Sequence, residues 1–122
     1  MPKRDNFSTL THIAEAVERI KRWTEGIAPE EFRDDELRQS AIMRQLEIIG
    51  EATGRLTAEF LQTHADVLPW NVMKNMRNVL IHGYDEVDID IVWMTATQDI
   101  PGIHAPLQDL LSEVADASRD DQ

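Results

Sequence analysis

From Phe7 to Val114 the apolar residues of this chain return at every third or fourth position, and nowhere do they alternate with period two over a useful length. Steps of three and four keep side chains on one stripe of an α-helix, so the pattern predicts helices and leaves no material for a sheet. Phe7, Leu10, Ile13, Val17 and Ile20 mark a first helix that ends near Gly26. Pro29 separates it from a longer second helix, where Ile42, Leu46, Ile49, Thr53, Leu56 and Phe60 keep the rhythm. Asp34, Asp35 and Glu36 suit the positive start of that helix. Gly50 and Gly54 inside it each cost about 1 kcal/mol relative to Ala, so they are expected to permit a close helix contact or a local break. A break near Gly54 to Thr57 would leave a short extra helix up to about His64.

Trp70, Met73, Met76 and Leu80 mark the next helix, which should run to His82. Asp88 reads as the N-cap of a helix carrying Ile89, Val92, Trp93 and Ala96. Pro101 is expected to end it, leaving Leu107, Leu110, Leu111 and Val114 to form the last helix. The polar tail from Ser118 to Gln122 should fray. At 122 residues the expected architecture is one all-α domain over 1–122, an antiparallel up-and-down helical bundle of four main helices plus a short extra helix.

Composition excludes several chemistries. The chain has no Cys, which removes disulfides, thiolate metal sites and thiol nucleophiles. No apolar run approaches the ~20 residues of a membrane span, and the N-terminus lacks a signal-peptide core. A soluble, cytoplasmic protein without a membrane partner is expected. With 23 acidic against 12 basic residues the net charge is −11, which argues against coating nucleic acid nonspecifically. It leaves room for one small cationic cleft.

Such a cleft has an obvious location. Val67 to Tyr84 contains no Asp or Glu while holding Lys74, Arg77 and His82. A cationic strip on an acidic chain draws a phosphate to one place and repels it elsewhere, and Lys74 is a natural phosphate contact within it. The strip ends in Arg77-Asn78-Val79-Leu80-Ile81-His82-Gly83-Tyr84, which sets a permanent cation, an imidazole and the sole tyrosine at one helix end. Gly83 is the natural left-handed residue beyond the helix, which makes His82 the cap and folds Tyr84 back toward Val79. In a helix interior, residues five apart point about 140° from each other. A His at the terminating turn is freer to converge with Arg77 on one ligand.

The chain resembles the HepT-like branch of the HEPN domains, helical ribonuclease toxins paired with minimal nucleotidyltransferase antitoxins. The resemblance runs through His12-Ile13, the segment Ala41 to Ala52 with Leu46-Glu47-Ile48-Ile49-Gly50-Glu51-Ala52, and Pro69-Trp70. It continues through Arg77 to Tyr84, Val87-Asp88, Ile91-Val92-Trp93 and Ile100-Pro101. The family's Arg-x4-His-x-Tyr motif falls on Arg77, His82 and Tyr84. The resemblance implies the toxin of a type VII-like toxin–antitoxin pair: a homodimeric, metal-independent endoribonuclease with no cofactor and with Arg77 and His82 catalytic. It also implies that the antitoxin silences the toxin by transferring AMP to Tyr84.

The residue types suit that chemistry. Metal-free RNA cleavage uses the neighbouring 2′-hydroxyl as nucleophile, so the protein must move protons and stabilise a phosphorane. His82 is the group in the strip whose ordinary pKa suits proton transfer near pH 7. Arg77 offers a planar fork to the nonbridging oxygens, and Asn78 is a supporting candidate that would orient the phosphate or His82. One chain supplies one such His while base and acid are both needed, an independent reason to expect a two-fold dimer. The alternative is a non-catalytic nucleotide-binding subunit that docks the nucleotidyltransferase. Glu51 is expected to pair with an Arg inside the bundle, and His12 to be a partly buried packing residue. The acids from Asp85 to Asp90 read as an N-cap and solvated charges, not a metal site, and the Trp and Met residues as core and dimer interface.

Overall fold

A computed structural model describes residues 5–79 and 88–120 of the chain. The described residues form α1 (Asn6–Thr24), α2 (Pro29–Arg33), α3 (Glu36–Arg55), α4 (Ala58–Thr63), α5 (Trp70–Val79), α6 (Ile89–Met94), a π-helical turn (Thr95–Asp99) and α7 (Ile100–Asp120), with no strand among them. The main elements are α1, α3, α5 and the rod built from α6, the π turn and α7. Together they make the all-α bundle that the spacing predicts.

Helix starts follow side-chain chemistry. The Asp5 carboxylate accepts from the Ser8 N–H, Asp35 from the Arg38 N–H at 3.0 Å, and Asp88 from the Asp90 and Ile91 N–H groups. Each satisfies donors that a first helical turn leaves without partners. At Asp35 the backbone N–H of Arg38 holds the carboxyl below the usual aspartate range, with the Arg38 guanidinium at 3.1 Å assisting. After α1 the chain turns at Gly26 with φ of 73°, a conformation that favours glycine.

Two sets of contacts fix the direction of the helices. Asn6 at the start of α1 exchanges two hydrogen bonds with Thr57 just past α3, while Arg38 at the start of α3 donates to the Trp23 carbonyl near the end of α1. α1 and α3 are therefore antiparallel. His104, early in α7, meets Glu18 and Lys21 late in α1 at 3.1 and 3.4 Å, so α1 and α7 are antiparallel too. α3 packs against α1 on one side and α5 on the other. Leu10, Ile13, Val17, Ile20, Ile42, Leu46, Ile49, Met73, Met76, Val92, Ile100 and Leu107 fill the centre, and burial of such side chains contributes roughly 1.5–3 kcal/mol each.

Several expectations need correction. Pro29 opens a short helix, α2, where a ring-fixed φ is compatible with the first turn. Its Phe32 is fully buried and packs against Trp93 with centroids 4.9 Å apart and the rings tilted by 37°. Pro101 does not divide the last two helices. The turn just before it widens, with the Ile100 N–H reaching back five residues to the Thr95 carbonyl. A π turn at this point absorbs a proline that has no N–H and would crowd an α-helical carbonyl. The tail stays helical to Asp120, since no Gly or Pro follows Pro106 to stop it. Phe7 is 40% exposed at the end of its stripe. His12 is exposed because Leu10, Ile13 and Ala14 take the inward face of α1. No helix among the described residues is long and apolar enough to cross a membrane.

Candidate active site

α5 is held at its start by Trp70, which is buried, donates its indole N–H to the His64 carbonyl at 3.0 Å, and meets Phe60 edge-on. Met73 and Met76 turn inward. At three to four residues per turn, Lys74, Arg77 and Asn78 then share the outward face. All three are exposed.

What brings this face to its place is Gly50. A Cβ at Gly50 would stand 2.8 Å from both the Cβ and the backbone N of Arg77, and 3.1 Å from the Lys74 carbonyl oxygen. Only a residue without a side chain lets α5 lie this close to α3, so Gly50 sets the position of Arg77. Of the two options weighed for the glycines, close approach applies to Gly50. Gly54 has nothing within 4 Å of its would-be Cβ, and α3 ends one residue later, at Arg55.

Between the two helices lies an open groove of about 520 Å³. Gly50, Glu51, Gly54 and Arg55 line it from α3, and Lys74, Asn75, Arg77 and Asn78 from α5. Three of the predicted site residues, Lys74, Arg77 and Asn78, thus face one cavity. The Asn78 amide donates to the Asn75 side chain at 3.4 Å, which restrains its orientation. His82 and Tyr84 lie outside the described residues, as do Gly83 and the predicted cap geometry. Arg55 and Asn75 were not expected. The spacing of four between Glu51 and Arg55, which puts both on one edge of α3, is the signal that could have marked Arg55.

Charge separates this groove from its surroundings. Elsewhere Arg19, Arg33, Arg38 and Arg44 each have a carboxylate within 4.0 Å, while Lys21 and Arg22 form no such pair among the described residues but line a groove with Glu18 and Glu25. Among the described residues neither Lys74 nor Arg77 has such a partner. Glu51 is half-buried and likewise forms no ion pair among them, so the expected pairing inside the bundle is replaced by a place on the groove wall. Among the described residues that line it, Arg55, Lys74 and Arg77 are basic and Glu51 is acidic, on a chain of net charge −11. Such a cavity attracts an anion, and its guanidinium and amide groups are donors suited to phosphate oxygens. The tryptophans lie elsewhere: Trp70 in the core, Trp93 against Phe32, and Trp23 half-buried at the end of α1.

Comparison with known proteins agrees with the sequence resemblance. The family model described as "Ribonuclease HepT-like" matches residues 13–110. A Thermococcus cleftensis protein named "Probable ribonuclease HepT" is 40% identical over 108 residues, covering 88% of this chain and 97% of that protein. A Caldanaerobacter subterraneus relative named a "Putative RNase" is 36% identical over 104 residues, covering 85% and 92%. One from Methanocaldococcus jannaschii with the same designation is 31% identical over 114 residues, covering 93% of each. No solved structure matches the chain. A match that begins in α1 and ends in α7 spans every element that builds the groove, and the chain belongs to the HepT-like ribonuclease family.

Proposed function

We propose that the α3–α5 groove is the active site of a metal-independent endoribonuclease, with Arg77 and His82 catalytic and Lys74 and Asn78 in support. The observation that carries this reading is that Lys74, Arg77 and Asn78 line one cavity, with no carboxylate paired to either cation among the described residues. Family membership and the ribonuclease names of the relatives support the reaction class.

Arg77 places its donors on the nonbridging oxygens of the scissile phosphate, where negative charge grows in the phosphorane. His82 takes the proton of the attacking 2′-hydroxyl or returns one to the departing 5′-oxygen. Each chain has one such His, so a two-fold dimer supplies the second for the opposite role. Asn78, steadied by Asn75, positions the phosphate.

The chain acts as the toxin of a toxin–antitoxin pair whose partner is a minimal nucleotidyltransferase. That partner transfers AMP to Tyr84, two residues beyond His82. The adduct carries negative charge into the cationic groove and blocks it. Product ends test the chemistry. Cleavage of single-stranded RNA in excess chelator should leave 2′,3′-cyclic phosphate and 5′-hydroxyl termini. Termini with 3′-hydroxyl and 5′-phosphate, or activity abolished by the chelator, would contradict the mechanism.

A further inference from the structure

Glu51 is the acid that lines the groove among the described residues, and nothing in the proposed phosphate chemistry uses it. An ionised carboxylate is an acceptor only and repels the phosphate that Lys74 and Arg77 attract. Glu47, one turn earlier on α3, is tied to Arg44 at 3.3 Å. Glu51 is half-buried yet has neither an ion pair nor a hydrogen bond among the described residues. Half-burial strips away part of its water, which N–H or O–H donors on a ligand would replace. It directly follows Gly50, the residue whose missing side chain lets the Arg77 backbone come close. The carboxylate and the proposed phosphate site thus share one groove.

Resting on the ribonuclease reading, we propose that Glu51 is a specificity-determining residue that reads the base beside the scissile phosphate and selects guanine. The donors on an RNA strand are its 2′-hydroxyls and its base N–H groups. A 2′-hydroxyl is the same on every nucleotide and offers one hydrogen. Guanine sets two donors side by side on its Watson–Crick edge, N1–H and the N2 amino group, which match the two oxygens of a carboxylate. Adenine and cytosine offer an amino group next to a ring acceptor, and uracil one N–H between two carbonyls. Each of these turns a lone pair toward the second carboxylate oxygen. A single strand leaves this edge open to a protein. On the α5 wall the Asn75 carbonyl accepts from the Asn78 amide at 3.4 Å, which leaves the Asn75 N–H groups as donors for guanine O6. A groove of about 520 Å³ is of a size that takes a nucleotide.

The test sets guanine against inosine, which lacks only the N2 amino group, and wild type against Glu51→Gln, which keeps the size of the side chain. Short 2′-O-methyl uridine strands with a central guanosine, inosine or uridine report binding without cleavage, and the 2′-hydroxyl versions report cutting. Wild type should bind the guanosine strand on the order of tenfold more tightly than the inosine strand, and should cut beside the guanosine. In Glu51→Gln the difference between guanosine and inosine should disappear. The all-uridine strand should bind that variant no more weakly, since a negative charge has left the groove. Weakening of all strands alike, with the guanosine preference kept, would assign Glu51 a structural role and overturn the proposal. Slower cutting beside every base at an unchanged preference would assign it to the reaction itself and overturn the proposal too. A wild type that cuts but is blind to the central base would remove the base reader and leave the ribonuclease reading intact. A guanosine preference lost in Glu51→Gln, without any cutting by wild type, would keep the reader and overturn the ribonuclease. A wild type that neither binds nor cuts would overturn both.

Discussion

On the proposed reading, regulation rests on one residue, Tyr84. It is the sole tyrosine, so modification of tyrosine has one possible address. A cognate nucleotidyltransferase with ATP and Mg²⁺ should raise the intact mass in AMP steps, and RNA cleavage should fall in parallel. Tyr84→Phe keeps the ring while removing the oxygen nucleophile, so it should block the mass change and stay active beside the partner. Mass steps that persist in Tyr84→Phe would place the adduct elsewhere. At this scale the sequence was informative where neighbours in the chain decide the outcome. Lys74, Arg77 and Asn78 share a helix face by spacing alone, and Asp35 and Asp88 cap by position. Arg55 was not legible, because its nearness to Lys74 depends on how α3 lies against α5.

Among the elements, the contact of α3 with α5 positions the groove, and two glycines one turn apart test it. Gly50→Ala would push a methyl to within 2.8 Å of the Arg77 backbone, which must move. A cost of about 1–3 kcal/mol in denaturant unfolding is expected. Displacing Arg77 by a fraction of an ångström or more should also slow RNA cleavage by up to about a hundredfold. Gly54→Ala meets open space and should stabilise the chain by about 0.5–1 kcal/mol through helix propensity. Equal effects of the two substitutions would show that Gly50 does not set the helix approach. Sequence periodicity located α1, α3, α5 and the last rod. It missed α2 and misplaced the break at Pro101, since a π turn is a response of the whole rod to packing on both sides of a proline, and no local spacing announces it.

The whole chain has a net charge of −11 while the described residues lining the groove are mostly basic or amide, and the proposed chemistry asks two copies to share that groove. Arg77→Ala and His82→Ala chains, each inactive alone, should regain part of the activity when mixed if the dimer composes its sites from both subunits. A protein that sediments as a monomer at micromolar concentration would rule this out. The central claim is that Arg77 and His82 cut RNA in the α3–α5 groove without metal. The most direct measurement is the single-turnover cleavage rate of single-stranded RNA in excess chelator for wild type, Arg77→Ala and His82→Ala, with helicity checked by circular dichroism. Wild type should cleave, and each variant should be slower by roughly 10²- to 10⁴-fold at unchanged helicity. A His82→Ala protein that cleaves as fast as wild type would contradict the account.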